Sequence, residues 1–184
     1  MFKMQWEGWN QMISGQVNKS KNDEYYTPAY AVHPIKKYLK PNSLIWCPFD
    51  TLESHFVKEL NKAGHAVINT HISKGEDFFK LDIDCDYIIS NPPYSKKVEV
   101  FKRLFELGKP FAMLVGVVGL FDSKEKMELF KDKQIEIMYL SPRVSYFQDY
   151  NEEKPSKHPA FQSVYLCSGI LPKQIVFEQI YKDC

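Results

Sequence analysis

Short apolar runs of strand length alternate along this chain with longer stretches whose apolar residues recur at helical spacing. That alternation restricts the fold more than any other feature of the sequence. "SLIWC", "HAVINTH", "DYIIS", "FAMLVGVV", "IEIMYL" and "QSVYLCSGI" read as strands, and "DFF" opens a further one. "TPAYAVHPIKKYL" begins with a helix-starting Thr-Pro and spaces Ala31, Ile35, Tyr38 and Leu39 helically, with Pro34 inside the pattern. "TLESHFVKELNKAG" carries Leu52, Phe56, Val57 and Leu60 on one face, with Thr51 as its cap and Gly64 as its stop. "KKVEVFKRLFELG" shows a stripe of Val98, Phe101, Leu104, Phe105 and Leu107, and "SKEKMELFKDK" is a shorter helix. The chain closes in an extended or helical tail. Strands alternating with helices predict a doubly wound, mostly parallel sheet, whose ligands lie beyond the carboxyl ends of the strands. Both "WCPFD" and "NPPY" fall at such ends.

A length of 184 residues suits one domain with a substantial core, and 44% hydrophobic with 26% charged residues is ordinary for a soluble globular chain. Residues 1–24 form a polar N-terminal segment, leaving 25–184 as the single domain. The formal net charge is +1, so a polyanionic partner would have to be met by local basic clusters. Cys47, Cys85, Cys167 and Cys184 make no CxxC pair, which predicts no metal site and a reducing, cytoplasmic setting. "MFKMQWEGWNQ" lacks the apolar stretch of a secretion signal, and "FAMLVGVVGLF" is too short to span a bilayer. The expectation is a soluble protein with no membrane partner.

The sharpest local feature is "SNPPYS", residues 90–95, directly after the apolar strand "DYIIS". Pro92 and Pro93 have fixed φ and no N–H, so this bend is stiff and presents carbonyl acceptors. Asn91 adds an amide carbonyl and Tyr94 a flat ring. Together they suit a planar guest bearing an amine: acceptors for its two N–H bonds and a ring for its face. The same residues also read as a plain turn with Tyr94 packed into the core.

"DYIISNPPY" resembles the catalytic motif of S-adenosylmethionine-dependent amino methyltransferases, and the chain as a whole looks like a phage-type DNA adenine-N6 methyltransferase over about residues 24–170. The resemblance implies a Rossmann-like class I methyltransferase fold: a mostly parallel seven-stranded sheet with its last strand antiparallel. It implies catalytic roles for Asn91, Pro92, Pro93 and Tyr94, with Asn91 also among the cofactor contacts. "YYTP", holding Tyr26, Thr27 and Pro28, is similar to the motif at the methionine end of the cofactor. "GEDFF" resembles the segment where an acid, here Asp77, meets the adenine amine, with Phe78 against the ring. "WCPFD" occupies the place of the glycine-rich first motif. Pro48 and Phe49 resemble its Asp-Pro-Phe version, with Cys47 before them as a further cofactor contact and Asp50 or Glu53 as its acid, yet "CPFDTLES" contains no glycine. The second strand ends in "NTH", where the family places an acid for the ribose hydroxyls.

The resemblance also implies double-stranded DNA as partner, with the target adenine flipped into the corner. Lys96, Lys97 and Arg143 are the candidate phosphate contacts, and Lys154, Lys157 and His158 lie in a long polar loop. Lys102 and Arg103 read as a solvated helix face. Phe161, in "HPAFQSVYLCSG", is a candidate for packing on the extruded base, or else a core residue. Sequence readout falls to loops such as residues 141–159, to a partner subunit or to a homodimer. Two alternatives share these features: methylation of an RNA base or a protein glutamine, and a cofactor-deficient binding subunit.

Overall fold

The computed structural model describes residues 26–147 and 161–182. The N-terminal segment, Tyr25, Lys154, Lys157, His158 and Cys184 lie outside the described residues. The chain winds into a seven-stranded sheet. Its elements are α1 (Ala29–Lys36), β1 (Leu44–Cys47), α2 (His55–Lys62), β2 (Ala66–Asn69), β3 (Tyr87–Ser90), α3 (Lys97–Leu107), β4 (Phe111–Gly116), α4 (Lys124–Phe130), β5 (Glu136–Ser141), β6 (Ser163–Ser168) and β7 (Ile175–Gln179). The strand order is β2-β1-β3-β4-β6-β5-β7. β6 runs antiparallel to both β4 and β5, and every other pairing is parallel. This is the Rossmann-like class I arrangement.

Side-chain alternation along the strands explains the layering. Ile45, Cys47, Tyr87, Ile89, Ala112 and Leu114 face one side, against Ala31, Val32 and Ile35 of α1 and Phe56, Val57 and Leu60 of α2. Trp46, Ile88, Phe111, Met113 and Val115 face the other, against Val100, Phe101 and Leu104 of α3 and Phe130 of α4. Each fully buried Ile, Leu or Phe contributes about 1.5–3 kcal/mol of transfer free energy. Two continuous cores, one on each face, therefore hold the strand ends in fixed register.

Three local expectations change. "DFF" forms no strand: Asp77 O accepts the N–H groups of Lys80 and Leu81, closing a turn that tucks Phe78 inward. The seventh strand is instead β7 in the tail, which follows the reversed β6 and pairs with β5 at the sheet edge. α2 starts at His55, with Ser54 rather than Thr51 as its cap; Ser54 Oγ accepts from Phe56 N at 3.1 Å, and Leu52 is left exposed. No helix among the described residues is long and apolar enough to cross a membrane.

Candidate functional site

β1 has β2 on one side and β3 on the other, so the chain reverses direction of travel across the sheet at this point. Crevices at such switch points, outside the carboxyl ends of the strands, are where α/β sheets hold ligands. A cavity of about 350 Å³ opens there. Its walls come from the segment before α1, the loops after β1 and β2, and the corner after β3: Tyr26 and Thr27; Pro48 to Thr51 and Ser54; His71, Ile72 and Glu76 to Phe79; Asn91 to Pro93, Ser95 and Lys96.

One wall is aromatic. Phe78 is buried and packs against Trp46 at 5.4 Å and Phe49 at 4.9 Å between ring centroids, with Phe79 5.4 Å away. Offset or tilted ring packing of this kind fixes the faces that a planar ligand would meet. Asp77 stands beside them, its Oδ1 accepting from Phe79 N at 3.1 Å. Glu76, not singled out in the sequence, also lines the cavity, and its Oε2 accepts the His71 N–H at 3.1 Å. An acid is thus returned to the end of β2 by a turn seven residues on, a placement that the "NTH" strand end does not announce.

The wall after β1 is built around Asp50, which is 7% exposed. Ser54 and Ser90 each donate a hydroxyl hydrogen bond to it, one to each carboxylate oxygen. Burial pushes its pKa up to about 6, against the opposing pull of those two hydroxyls. Cys47 lies in the core rather than on the cavity wall, and burial pushes its thiol well up, with the Asp50 charge adding to the effect. Glu53 lies off the cavity as well; its side chain is 69% exposed and pairs with Lys58 at 2.8 Å.

The proline corner completes the cavity lining. Asn91 Nδ2 donates to Thr27 Oγ1 at 3.3 Å, which ties the corner to the "YTP" segment 64 positions earlier. Tyr26 is held in turn by reciprocal backbone hydrogen bonds with Phe147, at 3.2 and 2.9 Å, and Pro28 precedes α1 as its cap. Lys96 sits over the Phe79 ring, 5.6 Å from its centroid.

Tyr94 belongs to the far side of the corner. Its ring lies 5.4 Å from that of Phe161 at 53°, with Lys97 Nζ 5.0 Å over its face. Gly116, the last residue of β4, makes this cluster sterically feasible: a Cβ there would stand 2.8 Å from Phe161 Cδ2. Lys97 Nζ also reaches Gly116 O at 3.5 Å. The structure therefore gathers Tyr94, Lys97 and Phe161 into one patch and leaves Arg143 exposed after β5, outside the cavity lining.

No family model matches this chain, and no curated protein does. Solved structures do match. The modification subunit of a putative type I restriction enzyme from Vibrio vulnificus YJ016 aligns with a TM-score of 0.57 at 12% identity, over 96% of this chain. The chain spans 51%, about half, of that structure's length. A TehB-like SAM-dependent methyltransferase from Corynebacterium glutamicum ATCC 13032 Kitasato gives a TM-score of 0.45 at 12% identity, covering 90% of this chain and 96% of that one. The first likeness is one of fold.

Proposed function

We propose that this chain transfers a methyl group from S-adenosylmethionine to the N6 amine of adenine in DNA. The observation that carries the reading is one cavity lined by Phe49, Phe78 and Asp77 together with Asn91, Pro92 and Pro93. A cavity of this size falls in the range of small-molecule sites. Its chemistry fits the cofactor: aromatic faces at Phe49 and Phe78 for a purine, carboxylates at Asp77 and Glu76 for an amine and hydroxyls, and Tyr26, Thr27 and Pro28 at the methionine end. When bound, S-adenosylmethionine supplies a methyl group already activated by a sulfonium centre.

The chain's own residues then have a positioning task. An exocyclic amine shares its lone pair with the base ring and is a poor nucleophile. The Asn91 side-chain carbonyl and the Pro92 backbone carbonyl accept its two N–H bonds, which turns the nitrogen toward tetrahedral geometry and frees the lone pair. The Asn91–Thr27 hydrogen bond orients that amide. Fixed acceptors need no reorganisation as the bond forms, which is where enzymes gain most. Tyr94 and Phe161 offer faces to an extruded base, and Lys96 and Lys97 offer charge to the flanking phosphates. The modification subunit in the fold comparison supports a restriction-modification setting, and with it a nucleic-acid substrate and a partner subunit.

Tritiated methyl transfer tests this, with duplex DNA, tRNA, rRNA and a release factor offered in parallel. Label in the N6-methyladenine of DNA is the expected result. Label in RNA or in protein glutamine would move the substrate to that class, and no label anywhere would leave a binding subunit.

A further inference from the structure

Asp50 lies where the loop after β1 meets the end of β3, and it is tied to two strand ends and a helix start at once. Its backbone N–H donates to Thr70 O at 3.2 Å, and its backbone carbonyl accepts Asn69 Nδ2 at 3.1 Å, both just past or at the end of β2. One carboxylate oxygen accepts from Ser54, the cap of α2. The other accepts from Ser90, the last residue of β3 and the one before Asn91. Ser90 is fully buried and Ser54 nearly so. A carboxylate held this way is costly to bury, and it persists only where its hydrogen bonds are complete.

We propose that Asp50 is a positioning residue, a clamp that locks the glycine-free wall after β1 to the proline corner through Ser90. The proposal rests on reading the cavity as a methyl-transfer site, and it replaces a direct cofactor contact by the Asp50 carboxylate. Both of its oxygens are committed to seryl hydroxyls 4 and 40 positions away in the chain. In a first motif without glycine, the backbone cannot fold tightly around a ligand by conformational freedom. The clamp supplies the missing rigidity from a side chain. It fixes the spacing between Phe49 on one wall and Asn91 on the other.

The test uses Ser90→Ala and Asp50→Asn in the full chain, read in two independent ways. Hydrogen–deuterium exchange without cofactor should run at least tenfold faster at the amides of Asn91 and residues 94–96 in both variants, while α3 stays protected. Transfer kinetics should show kcat reduced about tenfold, with the S-adenosylmethionine dissociation constant within twofold of the parent. Adding Ser90→Ala to Asp50→Asn should cost little more than Asp50→Asn alone, because the two act through one link. Unchanged exchange at the corner overturns the clamp whatever the activity. Weakened cofactor affinity with an unchanged kcat overturns it in favour of direct contact. A parent protein that transfers no methyl refutes the functional reading instead, and the exchange arm still decides the clamp.

Discussion

The two walls of the cavity solve one problem by different means. The corner after β3 is stiff because two consecutive prolines fix its backbone covalently. The wall after β1 has neither proline pairs nor glycine turns at Asp50 to Ser54, and it is held by a buried carboxylate between two hydroxyls. Covalent stiffness is insensitive to solvent conditions. A hydrogen-bonded carboxylate is not, because its charge can be titrated and each partner can be removed singly. The difference teaches that the same positional requirement leaves a strong mark in the sequence on one wall and almost none on the other.

Substitutions at the two walls should therefore separate chemistry from assembly. The largest effect belongs to the corner: Asn91→Ala is expected to lower kcat about a thousandfold, the scale of losing a fixed polar group that acts on the reacting centre. Cofactor affinity, measured by calorimetry, should stay within about threefold. Near-parental turnover in that variant would break the assignment of the corner as the amine site.

The other wall adds an effect on stability that depends on pH. Burial raises the Asp50 pKa to about 6, so the folded state holds its proton more tightly than the unfolded chain does. The cost of burying the charge is thus fully present above pH 6 and is relieved as pH falls from about 6 toward 4. Cys47 and Tyr165, which feel the Asp50 charge, stay neutral throughout because burial raises both. Asp50→Asn cannot titrate, so its stability should lack this pH dependence, which in the parent amounts to on the order of 3 kcal/mol between pH 4 and pH 8. Thermal melts at several pH values check this: the parent should gain on the variant as pH falls below 6. A difference between the two that stays constant from pH 8 to pH 4 would contradict a raised Asp50 pKa.

Gly116→Ala sharpens the comparison on the substrate side. The new methyl would meet the Phe161 ring, so the ring must shift and its packing on Tyr94 must change. Overpacking at such a contact costs about 1 kcal/mol, which should appear as roughly fivefold in kcat/KM for the nucleic acid. No change would place Phe161 outside the substrate path. The smallest effect is expected at Glu53, exposed and paired with Lys58. Glu53→Ala should leave cofactor binding within twofold in the same calorimetric assay, and a large loss there would restore it as the acid of the first motif.

Much of this architecture was legible because hydrophobic periodicity is local. Strands such as Phe111–Gly116 are buried on both faces and read as unbroken apolar runs, and α3 shows its stripe within eleven residues. The proline corner was legible because its rigidity is written in consecutive residues. "DFF" misled because its apolar residues serve ring packing with Trp46 and Phe49 rather than a ladder. β7 was hidden in a tail whose alternation is half exposed, and only its partner β5 makes it a strand. The roles of Asp50 and Glu76 depend on contacts that periodicity does not encode, with Ser90 forty positions away and with a turn that brings Glu76 back to the His71 amide. Ser54 lay in plain view as a cap, three residues beyond the Thr51 that the pattern suggested.

The most direct test of the central claim is calorimetric titration of S-adenosylmethionine into the purified chain, because the wall without glycine must still complete a donor site. Saturable one-to-one binding, weakened about tenfold in Asp77→Ala by the loss of a charged hydrogen-bonding group, is the predicted result. No heat and no shift in melting temperature at millimolar cofactor would contradict it.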